Sequence, residues 1–364
     1  VFFPILFCLM AFVIGLSAGS TVLVGQAWGA QNIEKVRAVV GSTIFMTLIG
    51  GSFIAFLGVI FARPILSALG IDEDVMHLSL PYVQWMLAGS PLLFVYIIYT
   101  SILRGVGDST TPLIASGMTI LIGLCVTPVL IAGYFGFPKL GIVAPAIATI
   151  LGFVSVLTFL YFYLNYKQHP LRLDAQLLRH IRFDRQLSKI ILRLGVPTGI
   201  QMITTSVAGL VIVGLVNRHG ADATAAYGAV NQVLNYIQFP ALSIAIAASI
   251  FGAQAIGAGK SELLAKVTRT ALGMNITITG SLVVLAYLFS KYLMALFITD
   301  HAVVELGQQL LFIVLWSILF FGASAIFASI MRASGTVTMP MIINIIAIIA
   351  IEVPCAYLFS EWWG

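Results

Sequence analysis

One carboxylate stands apart from the other acidic residues of this sequence because it lies inside a long apolar run. Glu352 occurs in Ile-Ile-Ala-Ile-Glu-Val-Pro, twelve residues after Pro340 and two before Pro354. Twelve helical residues cover about 18 Å, which would place this side chain near the middle of a hydrocarbon core about 30 Å thick. An ionised carboxylate there costs about 2.5 to 3.5 kcal/mol on insertion scales, so it should face a wet cavity or hold a proton. Glu352 is therefore a candidate for carrying a proton or binding a cation. The alternatives are a protonated glutamate bonded to a neighbouring helix and a side chain that snorkels outward.

Two short motifs resemble catalytic chemistry that the rest of the sequence does not support. The string 258–261, Ala-Gly-Lys-Ser, resembles the end of a phosphate-binding loop, but Gln254 stands where the first glycine is needed. The string 105–108, Gly-Val-Gly-Asp, matches the motif of intramembrane aspartyl proteases, whose chemistry needs two carboxylates that share a proton. No second aspartate lies in an apolar run, and Asp108 precedes Pro112 in a turn. We expect no enzymatic activity.

Metal and redox chemistry are not expected either. The three cysteines, Cys8, Cys125 and Cys355, lie singly inside apolar runs without the paired spacing of a metal site or a redox disulfide. The five histidines fall near the ends of runs or between them. The sequence therefore predicts no metal site and no organic cofactor.

The elements that position these residues are apolar runs long enough to cross a membrane. The chain has 364 residues, of which 60% are hydrophobic and only 9% charged, whereas soluble domains are about a quarter charged. The runs are continuously apolar over roughly 20 residues, which indicates helices rather than barrel strands. We predict an all-α polytopic membrane protein with ten helices, at about 3–27, 37–62, 78–103, 112–135, 141–165, 195–217, 229–256, 267–290, 303–330 and 339–360.

The basic residues alternate between the loops and thereby predict an orientation. Fourteen lysines and arginines fall in one set of loops and four (Arg63, Lys139, Arg218 and Lys291) in the other. The positive-inside rule then places loops 28–36, 104–111, 166–194, 257–266 and 331–338 in the cytoplasm of a cell with the protein in its inner membrane. The basic stretch 167–194 is the longest polar segment. We interpret it as a linker anchored on anionic lipid, because runs of charge usually have that role, and a binding site is the alternative.

An internal repeat with a spacing of 228 residues runs through the whole chain. Polar identities carry it: Gln26, Gly29, Arg104, Gly107 and Pro112 recur as Gln254, Gly257, Arg332, Gly335 and Pro340. An even number of helices per repeat makes two parallel, pseudo-symmetric bundles. We predict an N-terminal lobe at 1–166, a linker at 167–194 and a C-terminal lobe at 195–364. In this register Val1 pairs with Ala229, so we expect the chain to be a fragment with ten of twelve helices, numbered 2–6 and 7–11 in the whole protein.

These paired motifs, together with Gly195-Val196-Pro197 and Gly228-Ala229-Val230-Asn231-Gln232, resemble the MATE (multidrug and toxic compound extrusion) family over essentially the whole chain. The resemblance implies two six-helix bundles around a cleft, alternating access, and export of organic cations in exchange for H⁺ or Na⁺. It implies further that Gln201, Thr205 and Asn231 in the second half, and Thr127 in the first, line the substrate cavity. Interhelical hydrogen bonding is the alternative role for Gln201 and Asn231.

The sequence departs from the family where the coupling acids are expected. Gly123 and Thr127, before Pro128, stand where many bacterial members carry Asn and Asp, and Thr205 stands where one branch carries glutamate. Glu352 is then the candidate coupling residue. A flippase for lipid-linked sugars should line its cavity with arginine, which this sequence lacks deep in its helices, and a specific metabolite exporter remains a second alternative. The expected partners are a small organic cation and membrane lipid, without nucleic acid, and the expected state is a monomer.

Overall fold

The computed structural model describes residues 3–68, 73–136 and 139–362, and this part of the chain is helical without a β-strand. Ten of its helical segments are long and apolar enough to cross a membrane, which confirms the all-α polytopic fold. Two of the ten are interrupted by π-helical turns, at Asn275–Thr279 and Ala347–Glu352. The α-helices are α1 Phe3–Gly29, α2 Ile33–Ala68, α3 Glu73–Gly105, α4 Thr110–Ala132, α5 Ala144–Tyr166, α6 Ala175–His180, α7 Arg185–Val216, α8 Ala221–Gly257, α9 Leu263–Met274, α10 Gly280–Leu288, α11 Ser290–Ala295, α12 His301–Ala333, α13 Thr338–Ile346 and α14 Val353–Trp362.

Several helices extend beyond their apolar runs, and α7 shows why. The run begins near residue 195, whereas α7 begins at Arg185. The Asp184 carboxylate accepts hydrogen bonds from the N–H groups of Gln186 and Leu187, at 2.9 and 3.0 Å. Such a cap satisfies two of the N–H groups that a helix start leaves without partners. The last third of the expected linker is therefore helical.

Contacts divide the chain into two compact units, unit 1 at 1–199 and unit 2 at 200–364, and the division falls inside α7. The first turns of α7 belong to unit 1 because they cross α1 at a seam of small residues. A Cβ atom at Gly15 would lie 2.8 Å from the carbonyl oxygen of Gly195, and one at Gly195 would lie 2.5 Å from that of Gly15. The pairs Gly19 with Ile191 and Ala11 with Gly199 continue this antiparallel crossing. Glycines spaced by four thus let the two backbones approach, as in other membrane helix pairs.

The polar segment between α5 and α7 is packed on unit 1. Leu171 and Leu177 are fully buried, and the Tyr99 hydroxyl of α3 donates to the Leu171 carbonyl at 2.6 Å. Asp174 caps α6 through the Leu177 N–H and pairs with Arg37 of α2 at 3.6 Å. That backbone bond, with Arg172 and Arg37, keeps the pKa of the Asp174 carboxyl below its ordinary value. The polar segment is therefore packed and hydrogen-bonded against α2 and α3 of unit 1.

Unit 2 has its core along α8 and α12. Val233 and Ile237 of α8 are buried among Leu311, Leu315 and Ile318 of α12, with further apolar side chains from α10 and α11. These helices bury one stripe each and leave apolar residues exposed on the opposite face, as lipid-facing helices do. The membrane segment that carries Glu352, Thr338–Trp362, is packed more loosely: only 6% of the residues in its most apolar stretch are buried.

Candidate transport site

The repeated motifs build helix ends that recur at the predicted spacing. Helix α1 ends at Gly29 and α8 at Gly257, while α4 begins at Thr110 and α13 at Thr338. The carbonyls of Gln26 and Gln254 accept from the N–H groups four residues later, at 3.0 and 2.9 Å. The turns of the two units therefore have the same backbone geometry.

The second motif pair repeats in its side chains as well. The guanidinium of Arg104 donates to the Ser101 hydroxyl at 2.7 Å, and that of Arg332 to the Ser329 hydroxyl at 2.8 Å. Gly107 and Gly335 have φ angles of 97° and 86°, a region in which side chains are strained. The prolines at 112 and 340 are buried in the first turns of α4 and α13. These motif residues shape turns at helix ends.

Glu352 ends the π-helical turn that separates α13 from α14. The Val353 N–H donates to the Ile348 carbonyl, five residues earlier, rather than to a carbonyl four residues earlier. Pro354 follows directly, and a proline ring clashes with the carbonyl of an α-helical residue four positions before it. A wider turn relieves that clash, and π-turns in membrane and soluble helices are frequent at functional sites. The Glu352 side chain is exposed on the surface of unit 2.

A second polar side chain shares the same side of this helix. Asn344 lies eight residues before Glu352, and because the π-turn holds one residue more than an α-turn, the eight residues make about two full turns. The Oδ1 atom of Asn344 is buried and has no hydrogen-bond partner among the residues that the structure describes. Asn344 was not among the sequence-based candidates, although an isolated amide in an apolar run is a recognisable signal.

The four predicted cavity residues lie on three helices. Gln201 and Thr205 are one turn apart on α7, where the Thr205 hydroxyl donates to the Gln201 carbonyl at 3.0 Å. Asn231 is partly buried on α8, and Thr127 is partly buried on α4 of unit 1. The structure gives no further hydrogen bond among these four side chains, so their roles stay predictions.

One contact joins the helix of Glu352 to the helix of Gln201 and Thr205. His219, directly after α7, has its Nε2 atom 2.9 Å from the Ser360 hydroxyl of α14. The ends of α7 and α14 are therefore neighbours within unit 2.

The other π-turn begins at a buried amide, Asn275, which was not among the residues singled out from the sequence. Asn275 is 1% exposed, its Nδ2 atom donates to the Leu319 carbonyl at 3.3 Å, and its Oδ1 atom accepts from the Thr279 hydroxyl at 3.1 Å. Gly322 of α12 lies directly against this amide, and a Cβ atom there would overlap it. The cluster joins two membrane helices through hydrogen bonds, which is the role we had assigned as the alternative for Gln201 and Asn231.

The motifs set aside in the sequence have structural roles. Residues 258–261 form the turn after α8, in which Gly259 has a φ of 70°. Asp108 accepts from the Thr111 N–H at 3.0 Å and thereby caps α4. Within 3–68, 73–136 and 139–362, no group of three or more His, Cys, Asp or Glu side chains is arranged to hold a metal ion.

Known proteins resemble this chain in sequence and in fold. The family model MatE matches residues 1–129 and 197–358. The chain is 43% identical to the probable multidrug resistance protein YoeA of Bacillus subtilis (strain 168), over 99% of this chain and 78% of that protein. It is 26% identical to YpnP of the same strain, over 99% and 79% of the two chains. The crystal structure of a MATE protein in complex with MaL6 has the same fold, with a TM-score of 0.89, 21% identity, and coverage of 99% and 80%. The chain belongs to the MatE family and is a multi-pass membrane transporter.

Proposed function

We propose that this transporter exports organic cations from the cytoplasm by secondary active antiport, in exchange for H⁺ or Na⁺, with alternating access of its two halves. The relative at 43% identity bears the name of a probable multidrug resistance protein, which supports a multidrug substrate range. The proposed exchange chemistry rests on the position of Glu352, a carboxylate inside a candidate membrane span and the last residue of a π-turn.

One carboxylate is sufficient for exchange. Glu352 can neutralise a single positive charge at a time, so a proton or Na⁺ and a cationic substrate compete for it. Binding of the coupling ion from outside then displaces the substrate, and binding of a substrate from the cytoplasm displaces the ion. Asn344, about two turns earlier on the same side of the helix, has a buried Oδ1 atom without a hydrogen-bond partner among the described residues, and this atom can accept a hydrogen bond from a donor group of the substrate.

The alternatives are less well supported. A flippase for lipid-linked sugars needs cations aimed at a pyrophosphate, whereas Arg104 and Arg332 lie at helix ends and are bound to serines of their own helices. We place the loops at 28–36, 104–111, 166–194, 257–266 and 331–338 in the cytoplasm, with the protein in the inner membrane as a monomer. Export of one specific metabolite is the function we would infer if no dye-like cation were moved.

Transport in proteoliposomes tests this proposal. We expect the full-length protein to accelerate ethidium movement when a pH or Na⁺ gradient is imposed, and Glu352→Gln to reduce the gradient-driven rate at least tenfold. Glutamine keeps the shape of the side chain and removes its charge and titration. The matched control is Glu361→Gln, which makes the same change at the exposed end of α14 and should transport like the parent.

The outcomes separate two parts of the proposal. If Glu352→Gln and the parent have the same pH and Na⁺ dependence, the role of Glu352 is wrong. If the parent moves none of several organic cations under either gradient, the multidrug function is wrong and a specific substrate must be sought.

A further inference from the structure

The first turns of α7 carry three basic residues on one exposed face. Arg185, Lys189 and Arg193 are spaced by four, and all three are exposed, whereas Ser188 and Leu194 on the opposite face are buried against unit 1. We call these three residues the basic stripe. Residues four apart lie next to each other on a helix, so the stripe is a continuous cationic surface along about 12 Å of helix.

The basic stripe has no anionic partner within the part of the chain that the structure describes. Other cations of this region do: Arg37 and Arg172 both approach the Asp174 carboxylate, at 3.6 and 3.4 Å. The nearest acid in sequence to the stripe is Asp184, whose carboxylate is bound to the backbone N–H groups at the start of α7. The three cations therefore face outward without neutralisation.

This arrangement is unfavourable by itself. Like charges four residues apart repel each other, and cations in the first turns of a helix oppose the positive end of its dipole. An anion bound across the stripe would relieve both effects, so the charge pattern suits a partner with several negative charges.

The position of the stripe along α7 identifies the kind of anion. From Val196 to Val216 the helix has 21 residues without a charge, or about 31 Å, which equals the thickness of the hydrocarbon core. The exposed side continues directly from the stripe into Val196, Ile200 and Ile203, which are 50%, 41% and 45% exposed. If Val196 to Val216 cross the hydrocarbon core, residues 185–193 fall in the headgroup region, where lipid phosphates carry the negative charge.

We propose that the basic stripe binds the phosphate groups of anionic phospholipids in the adjacent leaflet and that this binding holds the start of α7 at the membrane surface. The proposal extends the role of the linker beyond transport chemistry and does not depend on the substrate or the coupling ion. Within the predicted lipid-anchored segment, the three residues of the basic stripe contact the lipid, whereas Arg37 and Arg172 pair with Asp174 inside the protein.

Binding of a short-chain phosphatidylglycerol to the purified full-length protein in uncharged detergent tests the proposal. A cation at a membrane surface contributes about fivefold to binding of anionic lipid, so we expect the triple change Arg185→Gln, Lys189→Gln and Arg193→Gln to weaken phosphatidylglycerol binding by about a hundredfold. The matched control changes Lys260, Lys266 and Arg269 to glutamine, because these residues are also exposed but have Glu262 nearby in sequence. Binding should weaken in 1 M salt, at which charges are screened beyond about 3 Å.

The competing explanations give different results. Three further probes are compared with phosphatidylglycerol. Short-chain phosphatidylcholine tests for lipid binding that does not depend on the headgroup charge, inorganic phosphate tests for a free-phosphate site, and polyglutamate tests for an acidic polypeptide as the partner. The proposal is supported if phosphatidylglycerol binds far more tightly than all three and the stripe variant alone loses it. It is overturned if both triple variants lose the same amount, if the stripe variant binds like the parent, or if polyglutamate or phosphate displaces the lipid. Equal elution volume and unfolding midpoint for the two variants establish that both are folded.

Discussion

Substitution of Gly195 by alanine should destabilise the crossing between α1 and α7, although the same substitution usually stabilises a helix. The new Cβ atom would lie 2.5 Å from the Gly15 carbonyl oxygen and 2.8 Å from its carbon, which are backbone atoms that cannot rotate away. Ordinary contacts of this kind begin at 3.4 Å, so the two helices must separate locally by about 0.9 Å. The adjacent close contacts of Gly19 with Ile191 would then be lost as well.

The expected magnitude follows from two opposing effects. Overpacking costs about 1 to 3 kcal/mol, whereas the higher helix propensity of alanine contributes about 1 kcal/mol in the opposite direction. The net effect of Gly195→Ala is a loss of up to about 2 kcal/mol. A Cβ atom at Gly209, on the same helix, would meet no atom of another described segment within 4 Å, so Gly209→Ala should gain up to about 1 kcal/mol. The same chemical change at two positions of one helix should therefore have opposite signs.

Thermal unfolding of the purified protein in detergent, followed by monodisperse elution or by tryptophan fluorescence, ranks the parent and the two variants. We expect the midpoint to rise in the order Gly195→Ala, parent, Gly209→Ala. The reasoning fails if Gly195→Ala unfolds at or above the midpoint of Gly209→Ala, since the close approach of α1 and α7 would then not exist in the folded protein.

Two further predictions concern the polar clusters. Gly322→Ala should destabilise unit 2 because its Cβ would overlap the Asn275 amide, and the same substitution should be harmless in a protein that also carries Asn275→Ala. A double-mutant cycle of unfolding midpoints measures this coupling. Additive effects of the two substitutions would contradict the contact. Burial lowers the pKa of His169 below its ordinary 6.5, despite the Asp108 carboxylate at 3.9 Å, and its Nδ1 atom accepts from a backbone N–H. The unfolded chain therefore binds a proton at His169 more readily than the folded protein does. The stability that the neutral His169 contributes is complete above pH 6.5 and is lost as the pH falls through the lowered pKa. Acidification from pH 7.5 to 5.5 should lower the unfolding midpoint of the parent more than that of His169→Gln.

The number of helices and the repeat were predictable because both depend on strong one-dimensional signals. Continuous apolar runs define a membrane helix through its length alone, and the helix ends at Gly29 and Gly257 follow from small residues that close a helix in the same way twice. The start of α7 was predicted ten residues too late, because hydropathy does not register a capping Asp184 followed by good helix formers. Docking of the linker through Asp174 and Tyr99 was not predictable, since it depends on residues more than 70 positions apart.

The candidate site was predictable only in part. Glu352 is recognisable from composition, because a carboxylate in an apolar run is rare. That it ends a π-turn, and so lies on the same side of the helix as Asn344, depends on backbone geometry that periodicity does not reveal. Gln201, Thr205, Asn231 and Thr127 came from the family resemblance, and their roles stay predictions because each depends on which side of a helix faces the substrate.

The two units differ at both π-turns. In the repeat register Glu352 pairs with Leu124 and Asn275 with Thr47, and both π-turns lie in unit 2, whereas the described residues of unit 1 contain none. The turns at the helix ends, in contrast, agree down to the hydrogen bonds of Arg104 and Arg332. Backbone geometry at a helix end has few solutions, so both copies keep the same residues, while a polar group at membrane depth costs free energy and persists only where it is used. We therefore expect the proposed coupling to depend on side chains that unit 2 has and unit 1 lacks, such as Glu352, whereas the repeated motifs shape the helix ends of both units.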